Sequence, residues 1–285
     1  MSDVRDDVDL TKLENLDLPS KWIISRLQST LKKVSDAIEI YRYSEAESHI
    51  FDFFKGEFCD WYLEIIKDKW TDDNIQNITG TILVQSLKML HPFMPVVTEE
   101  IWAHLFEDKG PMCQQPWPEF KSNLISESDE KQMQLMIDFI SSIRNVRAQW
   151  KIKPNLEVEC FYQVEDQNIV KLLESNEKYL KRLCRLSTLN LSDSLSDMKN
   201  IAVCVVSNIK CALPLGDVID VEAEKARIGK EIDKNQKTFL SLKKRMTNEE
   251  FLKNAPENVI LKEKAKMESL ENQARELQGM QNTLQ

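Results

Sequence analysis

The chain has 285 residues and a formal charge of -9, with 30% charged and 42% hydrophobic side chains, six glycines and nine prolines. That length exceeds one ordinary domain and allows a sizeable core, and the scarcity of glycine and proline points to long helices with few tight turns. The acidic balance argues against a protein that coats nucleic acid by bulk charge, while leaving room for local basic surfaces.

The longest apolar run, Ile201 to Val206, falls far short of the roughly 20 residues a membrane span needs, so no membrane is expected among the partners. Asp3, Asp6, Asp7 and Asp9 stand where a signal peptide would be basic and then apolar, which predicts a cytoplasmic protein. Cys59, Cys113, Cys160, Cys184, Cys204 and Cys211 show no Cys-x-x-Cys pair and no histidine at metal spacing. They are expected to be reduced thiols, and no metal site is expected.

Residues 1–18 form an acidic lead-in. From Pro19 the period becomes helical, with Trp22, Ile23, Leu27, Leu31, Val34 and Ile38 on one stripe, Ser20 available as a cap, and Lys21, Arg26, Lys32 and Lys33 largely off the stripe. A second long helix after Tyr41-Arg42-Tyr43 is apolar nearly all round in its middle, from Phe53 to Ile66, as expected of the most enclosed member of a bundle. Asp72-Asp73-Asn74 opens a third helix, Ile75 to Leu90. It ends at His91 because Pro92 disfavours helix in the residue before it, and Pro95 repeats the interruption. Thr98, Glu99 and Glu100 suit the first turn of a fourth helix, so two helices should meet at a dense apolar corner that surrounding helices bury. The four make an antiparallel bundle. After a loop marked by Gly110-Pro111 and Pro116-Trp117-Pro118, a helix from Asp129 to Trp150 should pack on that bundle, with Arg144 and Arg147 on one side.

Beyond Pro154 the period becomes two. Val158 to Val164, Ile201 to Val206 and Ile209 to Leu215 read as strands, with one helix from Ile169 to Leu183 between them. The last segment repeats in fours and threes, first through Val221, Ile228, Ile232 and Leu242 and again through Ile260, Met267, Leu270 and Leu277. Thr247 to Pro256 breaks the run, Thr247 and Glu250 being spaced as a capping box. An antiparallel hairpin of about 40 Å is expected. The fold class is therefore mainly α: a helical bundle over 19–150, a small α+β connector over 151–216 and a coiled-coil arm over 217–285. The first helix of that arm is basic, with Lys225, Arg227, Lys230, Lys234, Lys237, Lys243, Lys244 and Arg245 set against only Glu231 and Asp233 in the same interval. A positive rod on an acidic chain predicts a polyanionic partner.

Several words of the sequence resemble the carboxy-terminal region of the valyl-tRNA synthetases, which are class I aminoacyl-tRNA synthetases. They are Ser20-Lys-Trp-Ile-Ile-Ser-Arg26-Leu27, Glu57-Phe-Cys-Asp60-Trp61-Tyr62-Leu-Glu64, His91-Pro-Phe-Met-Pro95 through Trp102, and Ile143-Arg-Asn-Val-Arg147. Leu213-Pro-Leu-Gly through Glu224 and Asn248-Glu-Glu-Phe251 with Ala255-Pro256 complete the set, and these last two resemble the valine enzyme in particular. The resemblance implies a bundle that holds the anticodon stem and loop of tRNA(Val) and an arm that lies on the outer corner of the tRNA. Lys21, Arg26, Lys32, Lys33, Arg42 and Tyr43 are the anticodon candidates, Arg144 and Arg147 candidates for tRNA or interdomain contact, and the eight basic residues from Lys225 to Arg245 the corner candidates. The His-Ile-Gly-His-like and Lys-Met-Ser-Lys-Ser-like motifs of the family's catalytic core are absent from the sequence. The resemblance thus implies a noncatalytic, monomeric portion without a cofactor, which works with catalytic and editing domains to which ATP and magnesium would belong.

Two rival readings make the chain a helical and coiled-coil scaffold for other proteins, or an independent enzyme built on Cys59 or His91. Trp22, Trp61, Trp70 and Trp102 are expected in the core rather than as platforms for bases, whereas Tyr43, at a helix junction, is the better stacking candidate.

Overall fold

The computed structural model describes residues 8–106, 109–195, 198–216, 218–247 and 257–284. Within it the chain divides into two compact units, residues 1–137 and 138–285.

The first unit is helical. Part of the lead-in is folded: Asp9 caps the short turn Leu10–Lys12, Leu10 is buried, and Lys121 Nζ lies 3.2 Å from Asp9 Oδ1. Helix α1 (Leu18–Glu39) is capped by Asp17, whose Oδ1 accepts from Ser20 N at 3.0 Å. Ser20 is thus not the cap that the sequence predicts but a buried residue of the first turn, because Pro19 is already suited to that turn, where a missing N–H costs nothing. The next expected helix forms in three pieces: α2 (Tyr43–Phe51), a π-helical stretch (Asp52–Tyr62) and α3 (Leu63–Ile66). Within this stretch Phe58 lies alongside both Phe54 and Tyr62, four residues away on either side, at ring distances of 5.8 and 6.1 Å.

Helix α4 (Asp73–Leu90) is capped by Asp72 and closed by His91. Helix α5 (Pro95–Leu105) begins at Pro95 rather than near Thr98, since proline serves as a first-turn residue and not as a second interruption. Thr98 ties the corner, donating to Met94 O at 2.8 Å and lying 2.8 Å from His91 Nδ1. Val84, Leu87, Trp102 and Met112 pack beneath it, and Trp102 Nε1 donates to Gly110 O at 2.9 Å. The corner is only half enclosed, however, for Met94, Val96, Val97 and Ile101 are exposed. An apolar word thus contributed one buried edge of α5 and one open one. Trp70, expected in the core, is exposed as well, whereas Trp22 and Trp102 are buried.

Helix α6 (Glu127–Gln149) begins in the first unit and ends in the second. The second unit then builds a four-stranded sheet in the order β2-β1-β4-β3, with β1 Val158–Gln163, β2 Leu186–Leu191, β3 Ile201–Val206 and β4 Ile209–Pro214. Strand β2 pairs parallel with β1, and β1, β4 and β3 pair antiparallel. The sequence reading misses β2, a half-buried edge strand with three polar residues in its six, Leu-Ser-Thr-Leu-Asn-Leu. The one expected helix before it is two, α7 (Gln167–Ser175) and α8 (Glu177–Cys184), divided at Asn176. Parallel pairing of β1 with β2 requires a crossover connection, which α7 and α8 supply.

Helices α9 (Val221–Met246) and α10 (Glu257–Thr283) form the hairpin. Ile228, Ile232, Leu242, Met280 and Leu284 are buried along it, at or beside the positions that the heptad period selects. Thr247 ends α9 by donating its hydroxyl to Lys243 O and Lys244 O, both at 3.1 Å, rather than opening a new helix. The rest of the expected capping box, Glu250, and the break through Pro256 lie outside the described residues.

Candidate nucleic-acid interface

The six bundle candidates do not form one site. Lys21 stands at the start of α1 and Arg42 and Tyr43 follow its end, about 30 Å away at 1.5 Å per residue. Arg26 is engaged within the bundle: Nε and Nη2 grip Glu57 at 2.8 Å each, and Nη1 lies 3.1 Å from Glu130 Oε2. Both carboxylates, Glu57 foremost, raise its pKa above the ordinary arginine value and fix it as a cation that joins α1, the π-helical stretch and α6. Lys32 pairs with Asp36 at 2.9 Å, and Lys21 and Lys33 are exposed.

The turn between α1 and α2 is the feature best shaped for unstacked bases. Tyr41 N donates to Ile38 O at 3.0 Å and Arg42 N to Ala37 O at 2.8 Å, the paired bonds of a Schellman closure. That closure needs a left-handed residue, normally glycine, yet here Tyr41 adopts φ 61°. A side chain in this conformation costs about 1–2 kcal/mol, so the position keeps a tyrosine against a local preference. Tyr41 is 78% exposed and Tyr43 52%, with ring centroids 6.3 Å apart in an edge-on arrangement, and Arg42 between them reaches Glu45 at 3.3 Å. Asp36, Glu39, Glu45 and Glu47 make the neighbourhood acidic, so it suits base faces and amino groups rather than phosphates. Sequence reasoning selects Tyr43 and passes over Tyr41. The missed signal is a large aromatic just past a helix end, where glycine would be favoured.

In the second unit the basic helix α9 divides into two parts. Lys225 pairs with Glu222 at 3.1 Å, and Arg227 bridges Glu224 and Glu231, which raise its pKa. Lys230, Lys234, Lys237, Lys243 and Lys244 are exposed, as is Arg245, whose Nη1 lies 3.4 Å from Glu263. The outer two thirds of α9 therefore present cations to solvent, Lys230, Lys234, Lys237 and Lys243 at spacings of three to six residues and Lys243, Lys244 and Arg245 in succession.

Arg144, although exposed, and Arg147 both donate to backbone carbonyls of the second unit. Arg144 Nε donates to Leu183 O at 3.1 Å. Arg147, 7% exposed, donates to Arg185 O and Lys153 O at 3.2 Å and to Leu156 O at 2.7 Å, all within the second unit. Burial, with a smaller push from Arg185, lowers its pKa.

Among the described residues the thiols of Cys160, Cys184, Cys204 and Cys211 lie near one another, but hydrogen bonding between thiols together with burial raises those of Cys204 and Cys211, which disfavours a thiolate there. Burial and Asp60 raise the Cys59 thiol, which disfavours the thiolate an enzyme would need. Burial pushes the Cys184 thiol up to about 12, and among the described residues no group of acids, thiols and imidazoles could hold a metal. At about pH 8, iodoacetamide should alkylate exposed Cys113 well before Cys184, as read by mass spectrometry of the folded chain. Equal rates would contradict the burial of Cys184.

Comparison with known proteins finds two family models along the chain. A model of the anticodon-binding domain of tRNA ligases matches residues 20–162, and one of the valyl-tRNA synthetase tRNA-binding arm matches residues 220–285. The chain is 32% identical over 265 residues to the valine-tRNA ligase of Fervidobacterium nodosum, covering 92% of this chain and 30% of that protein. It is 30% identical over 287 residues to the valine-tRNA ligase of Bacillus subtilis, covering 96% of this chain and 32% of the relative. It thus spans about a third of the length of the curated relatives it matches. With about half of its length inside the first model, the chain belongs to the family of tRNA-ligase anticodon-binding domains, in the form that continues into the tRNA-binding arm of valyl-tRNA synthetase.

Proposed function

We propose that this chain grips valine tRNA at two places, the anticodon loop on the turn at Tyr41 to Tyr43 and the tRNA corner on the exposed cations of α9, and so presents the tRNA for ATP-dependent aminoacylation by separate catalytic and editing domains. The observation that carries the reading is the exposed basic face of α9 on a chain whose net charge is -9. A polyanion is the partner that such local sign reversal favours. The two tyrosines supply the complementary chemistry, because unstacked bases are held by aromatic faces and specified at their edges. Glu39 and Glu45 are placed in sequence to accept from exocyclic amino groups of those bases.

On this reading the chain is a cytoplasmic monomer and contributes positioning rather than bond making. It holds no cofactor of its own, ATP and magnesium belonging to the catalytic domain. Lys21 and Lys33 remain available for phosphate contact along α1, whereas Arg26 and Lys32 serve the fold.

The test is binding of the full chain to a valine tRNA transcript and to the same transcript with an altered anticodon, at low and moderate salt. Preference for the valine anticodon, lost in Tyr41→Ser/Tyr43→Ser with little change in the salt slope, is the expected result. Each lost stacking contact should cost about 1–3 kcal/mol. Equal binding of both transcripts by the parent chain would remove the anticodon reading, and no binding at low salt would return the chain to a protein scaffold.

A further inference from the structure

We infer that the corner between α8 and β2 is a third RNA-phosphate contact surface, separate from the tyrosine turn and from the α9 arm. The inference rests on the tRNA-binding reading above and adds a place to it.

Lys178, Lys181 and Arg182 stand three and four apart on one stripe of α8, and Arg185 follows as the residue that caps the helix. The opposite stripe, Tyr179, Leu180, Leu183 and Cys184, is buried. The four cations line a surface cleft of about 560 Å³ in which they meet Glu157 and Glu177, so the cleft keeps a net positive charge on an acidic chain. Lys181 is 3.5 Å from Glu177.

Arg185 is the informative member. It takes the left-handed conformation that ends α8, with φ 54° and ψ 58°. Glycine would hold that position with less strain, and cations at a helix end need no such conformation to complement the helix dipole. Its side chain is exposed, and among the described residues nothing pairs with its guanidinium. A strained residue whose side chain reaches open solvent marks a position kept for what the side chain meets outside the chain.

The corner is also held in place. Arg144 donates to Leu183 O and Arg147 to Arg185 O, so the carbonyls at the end of α8 are fixed by two arginines on α6. The family-like word Ile143-Arg-Asn-Val-Arg147 then contributes to RNA binding at one remove: its arginines orient a cationic edge without touching the ligand. Planar, forked guanidiniums and lysines on such a fixed edge suit phosphates, and the charge on the chain's other RNA-facing helix has the same sign.

The test uses the full chain, a valine tRNA transcript and salt titrations of Arg185→Gly and of Arg185→Gly/Lys178→Gln. Glycine suits the left-handed position and keeps the carbonyl that Arg147 holds, so the midpoint of thermal unfolding should stay level or rise. Affinity at low salt should nonetheless fall about fivefold or more per removed contact, with the slope of log affinity on log salt flattening by about one each time. A helix-capping role predicts the reverse pattern, with stability changed and binding untouched. Wild-type affinity and slope in both variants would overturn the inference and leave the corner to capping or to an acidic protein partner. Failure of the parent chain to bind tRNA at low salt would instead overturn the reading on which it rests, and this one with it.

Discussion

Replacing Lys237, Lys243 and Lys244 together by glutamate is expected to weaken binding of valine tRNA about 100-fold or more at low salt, and to flatten the salt dependence by about three in slope. All three are exposed on α9, and among the described residues none has a carboxylate partner, so their charge is available to an incoming phosphate. The hairpin should survive the change, because Ile228, Ile232 and Leu242 carry its buried seam and are untouched. Helical content by circular dichroism is therefore expected to match the parent. Arg227 provides the contrast. It already bridges Glu224 and Glu231, so Arg227→Gln should leave the slope nearly unchanged although it removes a cation from the same helix. A triple variant that keeps the parent's slope would show that the basic face of α9 does not meet phosphate.

Elements with a long repeat were legible in the sequence. The hairpin shows this best, since Ile228 and Ile232 are buried where the step of four places them. Elements that depend on distant partners were less so. Strand β2 is a strand because β1 lies beside it, and its own alternation is too polar to say so. Pro95 opens α5 where the sequence suggests a break, because proline serves as either and only the carbonyls that precede it decide which. The candidate site divided in the same way. Exposed lysines on α9 follow from periodicity, whereas Arg26 and Lys32 look alike in sequence to Lys21 and Lys33 and differ only in having Glu57, Glu130 and Asp36 within reach. Tyr41 differs again: its role depends on a backbone conformation, φ 61°, and the sequence hints at it only through a large aromatic just past a helix end.

Arg147 is where sequence pattern and structure part furthest, and Arg147→Met is expected to destabilise the second unit by about 2–4 kcal/mol. The guanidinium is nearly buried and spans the carbonyls of Lys153, Leu156 and Arg185. Arg185 O also accepts from Val158 N at 3.2 Å, so the same carbonyl starts the parallel pairing of β1 with β2. Two effects compete on truncation. Three acceptors lose a donor, at about 1–3 kcal/mol for each that stays dry, while removal of a buried charge returns part of its desolvation cost. Lys153 is exposed and its carbonyl has water to turn to, which favours the lower half of that sum. The melting midpoint of the second unit should fall by about 5–10 °C, and Arg147→Lys should recover less than half of the loss, because one ammonium cannot span three carbonyls as a planar fork does. A midpoint within about 1 °C of the parent for Arg147→Met would show that these hydrogen bonds only accompany the fold, and would remove the support on which the cationic corner at Arg185 depends.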